Sequence, residues 1–181
     1  MLSQELRSQL LRIARTSIET VLDGNRVELD RAAIPEELKR PSGAFVSLHA
    51  SGGDLRGCIG SIQAVAPLFQ AVANNAVNAA FRDPRFYPLR KDELANVHIE
   101  ISVMSPIVAV ASVEEIEVGR DGLIISRGSR AGLLLPQVAT EYGWDRETFL
   151  RQTCHKAGLP ADAWREGGCR IERFSAEVFG E

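Results

Sequence analysis

The strongest constraint on how this chain folds is a change in its hydrophobic period at Gly43. Upstream, apolar side chains recur every three or four residues, which predicts an amphipathic helix near the N-terminus that Gly24 terminates. Downstream, apolar and polar residues alternate, which is typical of a half-buried strand. The glycines of "SGGD" at 51–54 favour a tight turn, so the octet "DLRGCIGS" at 54–61 is predicted to return as the second strand of a hairpin.

Helices and strands are also predicted in the rest of the chain. Pro67 opens an alanine-rich segment that predicts a helix, and "NVHIEISVM" at 96–104 alternates strictly, as a strand does. A second hairpin is predicted on either side of "RGSR" at 127–130, followed by helix from Pro136 onward. Residues 169–179 are predicted to form a closing strand.

A hairpin followed by a helix is therefore predicted twice, at 43–82 and at 121–157, which hints at a structural duplication. No low-complexity segment or linker separates the two parts, and 181 residues is about the length of one ordinary domain. We predict an α+β fold over residues 1–181 as a single domain, with mixed-direction strands in one or two sheets and helices packed against them.

Composition limits the classes of partner. The chain carries 24 acidic and 21 basic side chains, for a formal net charge of −3, and has no sustained basic stripe. Nucleic-acid binding is therefore the weakest of the functional alternatives. No apolar run approaches the roughly 18 residues that a membrane-spanning helix needs. Any anion site must be local.

Cysteine usage points to a reducing compartment. The three cysteines are odd in number and far apart, at 58, 154 and 169, which does not suit a disulfide framework. We therefore expect a cytoplasmic protein. The metal-binding patterns CxxC and HExxH are absent, so neither a metal nor a cofactor is expected.

Cys58 is the first candidate for chemistry, and two interpretations of it remain open. A free cysteine often serves as a small apolar side chain in a strand. However, Gly57 and Gly60 weaken a strand and usually mark a close approach of its backbone to other atoms. Arg56 stands two residues before the thiol, and a guanidinium beside a thiol favours the nucleophilic thiolate.

Glu100 is the second candidate, because it lies in the middle of the strand at 96–104 and needs solvent, a cleft or a partner. Arg56 is the natural partner, since a guanidinium meets a carboxylate through two parallel hydrogen bonds. We therefore expect Arg56 and Glu100 to pair across a shared sheet face.

The loop "FRDPRFYPLRK" at 81–91 is the third candidate. It places four basic side chains around Phe86 and Tyr87, while Asp83 can neutralise one arginine. Such a mixture suits a phosphate or carboxylate group attached to a flat ring. We expect residues 82–91 to lie beside the octet and to form one wall of a cleft. The candidate ligand-binding residues are Arg56, Gly57, Cys58, Gly60, Asp83, Arg85, Tyr87 and Glu100.

Five segments together resemble, in order and spacing, the AMMECR-one domain family. They are "LRGCIGS" at 55–61, "DPRF" at 83–86, "IEISVMSP" at 99–106, "GLLLPQVA" at 132–139 and "CHKAGL" at 154–159. The resemblance covers about residues 5 to 180. It implies an α+β protein in two unequal lobes, and prokaryotic members look like one part of a set with a Memo-like protein and a radical SAM protein.

Two main functions are consistent with these residues. In the first, the chain is a non-catalytic binding module for a partner protein or a small anionic ligand. In the alternative, it is an enzyme or enzyme component with Cys58 in a cleft, Arg56 positioning the substrate and Glu100 acting as orienter or base. A cysteine nucleophile usually needs a histidine base and the sequence assigns none, so we expect Cys58 to be structural, mostly buried and slow to react.

Overall fold

The structure is a computed structural model that describes all of residues 1–181. Two compact units divide the chain. The first comprises Met1–Met104 with Glu177–Glu181, and the second comprises Ser105–Ala176. Each unit combines helices with antiparallel strands around its own cluster of buried apolar side chains. The predicted α+β fold class is therefore confirmed, and the two units are of unequal length.

The first unit contains two helices and three complete strands. In chain order they are α1 at Gln4–Leu22, β1 at Ala44–Ala50, β2 at Leu55–Ser61, α2 at Leu68–Phe81 and β3 at Val97–Met104. Short turns of 3-10 helix lie at Arg31–Ala33, Glu36–Lys39 and Leu94–Asn96.

The second unit contains two helices and most of the remaining strands. They are β4 at Val108–Ala109, β5 at Asp121–Arg127, β6 at Arg130–Leu134, α3 at Pro136–Glu141, α4 at Arg146–Lys156 and β7 at Arg170–Gly180, with one 3-10 turn at Val113–Glu115. The last residues of β7, from Glu177, belong to the first unit.

Capping groups lie at the helix ends, and Gly24 is among those that the sequence predicts. The hydroxyl of Ser3 accepts a hydrogen bond from the Leu6 N–H at the start of α1, and Gly24, with φ of +77°, follows its end. The carboxylate of Asp145 accepts the Thr148 N–H at 2.8 Å to begin α4. No helix has both the length and the apolar character needed to cross a membrane.

The sheet of the first unit follows from the period-two pattern. Strand β1 lies between β2 and β3 and pairs antiparallel with both. Its residues Ala44, Val46 and Leu48 are buried, whereas the alternate residues are only partly covered. The buried face belongs to a core that α1 and α2 complete. The pairings are antiparallel rather than mixed in direction, because the helical segment after each hairpin returns the chain so that the next strand runs in the direction of the hairpin's second strand and therefore opposite to its first.

The same arrangement recurs in the second unit. Strand β5 lies between β6 and β7 and pairs antiparallel with both, as β1 does with β2 and β3. The two units therefore share one order of elements: a hairpin, then a helical segment, then a strand beside the first strand of the hairpin. The hairpin-plus-helix repetition predicted from the sequence is present in the structure.

One glycine in each hairpin permits helix packing. A Cβ at Gly57 of β2 would lie 2.2 Å from the carbonyl oxygen of Ala79 in α2. A Cβ at Gly132 of β6 would lie 2.2 Å from the backbone nitrogen of Ala157, next to the end of α4. Both contacts are with backbone, which cannot rotate away as a side chain does. A side chain at either position would push the helical segment off the sheet.

We predict that Gly57→Ala lowers the free energy of unfolding by about 2 kcal/mol, because the added methyl overpacks the α2 contact. Urea denaturation followed by circular dichroism measures it. Gly52→Ala is the matched control, since a Cβ at Gly52 would lie 3.9 Å from its nearest non-adjacent neighbour, a carboxylate oxygen of Asp54, and its φ is not positive. Equal losses in the two variants would contradict the packing explanation.

Candidate functional site

Strand β2 is an edge strand, and the loop after α2 covers its outer edge at Cys58. The N–H of Cys58 donates to Oδ2 of Asp83 at 2.9 Å, and its carbonyl oxygen accepts from Nη2 of Arg85 at 3.3 Å. An open strand edge leaves such groups unpaired. The predicted position of residues 82–91 beside the octet is therefore confirmed, and Asp83 and Arg85 hold them there.

Asp83 is the centre of this attachment. Its side chain is only 1% exposed, and it also accepts hydrogen bonds from the N–H, Nε and Nη2 of Arg85. The Arg85 guanidinium holds the pKa of Asp83 far below its usual range, and the backbone N–H groups of Cys58 and Arg85 act in the same direction against the effect of burial. Asp83 is therefore ionised at any physiological pH.

Arg56 does not pair with Glu100, so that prediction was wrong. Its Nε and Nη2 donate to the two carboxylate oxygens of Glu93 at 3.0 and 3.2 Å. The reason is a β-bulge: Leu48 faces Gly57 and His49 faces Leu55, which leaves Arg56 without an opposite residue. A bulge breaks the strict alternation on which the prediction depended and redirects the side chain.

Glu100 lies on the partly covered face of the sheet, away from Arg56. Ser47 faces Cys58 on one side and Glu100 on the other, so the three residues form a row across the strands. Two strand spacings separate the Cα atoms of Cys58 and Glu100 by about 10 Å. The nearest basic group to Glu100 is Nε2 of His49, at 3.9 Å from Oε1.

Cys58 is half-buried, which corrects the expectation that it is mostly buried. The Ser47 hydroxyl donates to its sulfur at 3.2 Å. His49, two residues further along β1, has Nδ1 at 3.4 Å from the Gly53 carbonyl oxygen and Nε2 near Glu100. Nδ1 is thus engaged by the backbone, whereas Nε2 is buried without a hydrogen-bond partner, and neither nitrogen is hydrogen-bonded to the thiol. The slow reaction of Cys58 stays a prediction.

The two glycines of the octet allow neighbouring parts of the protein to pack closely against β2. Gly57 is buried beneath α2, and a Cβ at Gly60 would lie 2.4 Å from the Ala44 carbonyl oxygen and from the Phe45 ring. Their close neighbours are protein atoms, so the structure does not bring Gly57, Gly60 or Glu100 into one site with Arg56.

A cleft of about 390 Å³ lies beside Arg56. Its lining combines three arginines, two aromatic side chains, a proline and a glutamate: Arg56, Arg85, Phe86, Tyr87, Pro88, Arg90 and Glu93. Tyr87 is 90% exposed, whereas the Arg56 side chain is only 16% exposed. Of the predicted ligand-binding residues, Arg56, Arg85 and Tyr87 line this cleft, and Asp83 and Cys58 lie behind it.

The three arginines of the cleft are held in the same way. Arg56 binds Glu93, Arg85 binds Asp83 and Arg90 binds Asp92, each through Nε and Nη2 to the two oxygens of one carboxylate. The Nη1 atoms take no part in these pairs. Nη1 of Arg56 is buried and has no hydrogen-bond partner.

The carboxylates keep their charge over the physiological range. The Arg56 guanidinium and the Arg90 N–H lower the pKa of Glu93, and the Arg90 guanidinium lowers the pKa of Asp92. The pKa values of Arg85 and Arg90 are correspondingly raised by their carboxylate partners. The charge of the cleft therefore does not change near neutral pH.

Sequence reasoning missed Glu93 and Ser47. Glu93 stands in the charged run "RKDEL", where nothing distinguishes a buried partner from a solvated side chain. The acidic residues interspersed among the basic ones of that segment were the available signal. No group of three or more His, Cys, Asp or Glu side chains lies close enough together to hold a metal ion.

The fold and the site define a class of protein: a pair of hairpin–helix–strand units, the first of which carries a motif-bearing edge strand covered by an arginine-rich loop. The chain belongs to the AMMECR1 family, whose model matches residues 11–179.

Archaeal proteins are similar to this chain over nearly its whole length. A protein of Thermococcus gammatolerans is 44% identical, over 95% of this chain and 88% of its own. One from Methanothermobacter thermautotrophicus is also 44% identical, over 99% of this chain and 96% of its own. The crystal structure of the uncharacterized protein PH0010 from Pyrococcus horikoshii has a TM-score of 0.82 and 40% identity, and the match covers 99% of this chain and 93% of that one.

We predict that Asp83→Asn lowers the unfolding midpoint at neutral pH, because it weakens the contacts that hold residues 82–91 to β2. The folded-state pKa of Asp83 is depressed, so its stabilisation is present above the unfolded value of about 3.9 and is lost as pH falls toward the folded pKa. The difference between wild type and variant should therefore be constant from about pH 5 to 8 and shrink below about pH 4.

Thermal unfolding at a series of pH values measures this difference. Asp162→Asn is the control, since Asp162 is exposed and its arginine neighbour is 3.8 Å away. A difference that persists unchanged down to about pH 2.5 would show that the ionised carboxylate is not the stabilising group.

Proposed function

We propose that this chain is a non-catalytic binding module, whose cleft beside Arg56 takes a small ligand with an anionic group attached to a flat ring. The observation that carries the proposal is the side chain of Arg56, which lines the cleft and whose buried Nη1 has no hydrogen-bond partner. Buried charged donors are rarely left unpaired, because their desolvation is then uncompensated. An anionic oxygen in the cleft supplies the missing acceptor.

The fixed geometry of the arginines supports the same proposal. Each guanidinium is already oriented by a carboxylate, so little side-chain entropy is lost when a ligand binds. The cleft volume of about 390 Å³ lies within the range of small-molecule sites, which is roughly 300 to 1,000 Å³. The exposed ring of Tyr87 at the rim offers a flat surface on which a planar ligand stacks.

The surroundings of Cys58 favour binding over catalysis. The hydrogen-bond partner of its sulfur is the Ser47 hydroxyl, which is not a base at neutral pH. Its backbone N–H and carbonyl are occupied by Asp83 and Arg85, so they are not available to a substrate. A cysteine nucleophile normally has a histidine within hydrogen-bond reach.

The proposal extends to the setting of the protein. We place it in the cytoplasm, acting with a Memo-like protein and a radical SAM protein. The partnership is proposed by analogy with prokaryotic members of the AMMECR1 family, to which the chain belongs. Co-purification of the three proteins expressed together tests it, and their separate elution on size exclusion at micromolar concentration would count against it.

For the ligand site, we predict that benzoate or phenyl phosphate, added to the labelled protein, shifts the backbone amide resonances of Arg56 and of residues 85–87, 89 and 90, since Pro88 has no N–H. Arg56→Gln should weaken the binding about tenfold, because it removes a charge-assisted hydrogen bond. Two-dimensional NMR titration gives the dissociation constants.

Arg151→Gln is the matched control, since Arg151 lies in the second unit and is half-exposed. Arg90→Gln provides a second test that does not depend on the folding of the Arg56 variant, because Arg90 is largely exposed and its surface ion pair contributes little stability. The proposal fails if neither compound shifts these amides at concentrations up to about 10 mM, where even weak binding with a millimolar constant is visible.

A further inference from the structure

We infer that the anionic group recognised by the cleft is a phosphate monoester, whose three terminal oxygens are shared among Arg56, Arg85 and Arg90. The inference rests on the proposed function, since it specifies the ligand of the same cleft. It follows from which guanidinium nitrogens are already hydrogen-bonded to carboxylates and which remain free to bind a ligand.

The three arginines leave more free N–H donors than the two oxygens of a carboxylate can accept in good geometry. Each of the three arginines engages its own carboxylate through Nε and Nη2, so three Nη1 groups with two N–H bonds apiece remain. A carboxylate offers two oxygens in one plane, whereas a phosphate monoester offers three oxygens arranged around phosphorus. One oxygen for each guanidinium matches the second group and not the first.

The size of the cleft requires more than a bare ion. A phosphate of five heavy atoms occupies on the order of 100 Å³, since a single water molecule takes about 30 Å³ of liquid volume. The cleft measures about 390 Å³, so room remains for the organic part of the ester.

The aromatic residues identify where that organic part lies. The guanidinium of Arg85 stands over the Phe86 ring, 5.4 Å from its centroid, so one face of Phe86 is already covered. The neighbouring Tyr87 is 90% exposed and carries no such cover. A planar ring attached to the phosphate therefore stacks on Tyr87, which makes an aryl phosphate or a nucleotide the class of ligand.

The pH dependence of binding distinguishes a phosphate monoester from a carboxylate as the ligand's anionic group. The charged groups that face the ligand are Arg56, Arg85, Arg90 and Glu93, with Asp83 and Asp92 behind the arginines. The acids are already ionised because their partners lower their pKa values, and a guanidinium is not deprotonated in proteins. Only the ligand titrates near pH 6, where a phosphate monoester gains its second charge.

The test compares phenyl phosphate with benzoate, which share a ring and differ in the anionic group. We expect phenyl phosphate to bind about tenfold more tightly at pH 7.5, because at least one further charge-assisted hydrogen bond forms. Its affinity should fall as pH drops from about 7 to 5, whereas that of benzoate should not change, since carboxylates stay ionised above about pH 5. NMR titration at each pH measures both constants.

Three outcomes are distinguishable. Tighter binding of phenyl phosphate, with the fall at low pH, supports the inference. Equal or tighter binding of benzoate overturns it and leaves the proposed anion site in place. If neither compound shifts the amides of Arg56 and of residues 85–87, 89 and 90, the proposed function itself fails, and the inference fails with it.

A variant of the ring-binding residue completes the design. Tyr87→Ala should weaken phenyl phosphate about fivefold or more, the loss expected for one stacking contact, and leave inorganic phosphate unaffected. Tyr142→Ala is the matched control, because Tyr142 is also an exposed tyrosine but lies in the second unit. An equal loss for both phosphates, or no loss for phenyl phosphate, would contradict the placement of the ring on Tyr87.

Discussion

The attachment of one loop to the outer edge of β2 determines the geometry of the site. At Cys58 the strand has an N–H and a carbonyl oxygen that face away from the sheet, and both are bound by the same pair of residues. Asp83 accepts the N–H and Arg85 donates to the oxygen, while the two side chains also bind each other. A buried carboxylate is tolerated here because every contact it makes is with a donor. The loop can therefore not move without exposing three polar partners at once.

Much of the cleft follows from this attachment. Arg85 is fixed by Asp83, and Phe86, Tyr87 and Pro88 follow it directly in the chain. At the far end of the loop, Glu93 binds both the Arg56 guanidinium and the Arg90 N–H, which links the loop to β2 a second time. The octet thus contributes to the site through its backbone at Cys58 and through Arg56. Its glycines allow α2 and the adjacent strand β1 to pack closely against β2. Cys58 provides a small side chain beside Ser47.

Most elements of the fold can be predicted from the sequence, because its local patterns agree with one another. Period-two alternation at β1 and β3, the hairpin turns and the terminating Gly24 all predict elements that form. The repetition of a hairpin followed by a helix could also be predicted from the sequence. The antiparallel direction of β3 beside β1 could not, since it depends on where α2 returns the chain.

The site was harder to predict, and the β-bulge explains why. A period-two argument places Arg56 on the face of Glu100, but one extra residue in β2 removes Arg56 from the ladder. Nothing in the octet marks the bulge, because the glycines there serve other contacts. Likewise, the partner Glu93 is distinguished from other acidic residues of its segment only by three-dimensional proximity. By contrast, the loop of residues 82–91 could be associated with the octet from its unusual mixture of arginines and aromatic residues.

Crystallisation of the protein with saturating phenyl phosphate tests whether the unpaired Nη1 of Arg56 recognises an anionic ligand. We expect electron density for a phosphate oxygen at about 2.8 Å from Nη1 of Arg56, with the phenyl ring parallel to the Tyr87 ring. Density showing only a water molecule at Nη1, with the cleft otherwise empty or the phosphate bound elsewhere, would contradict it.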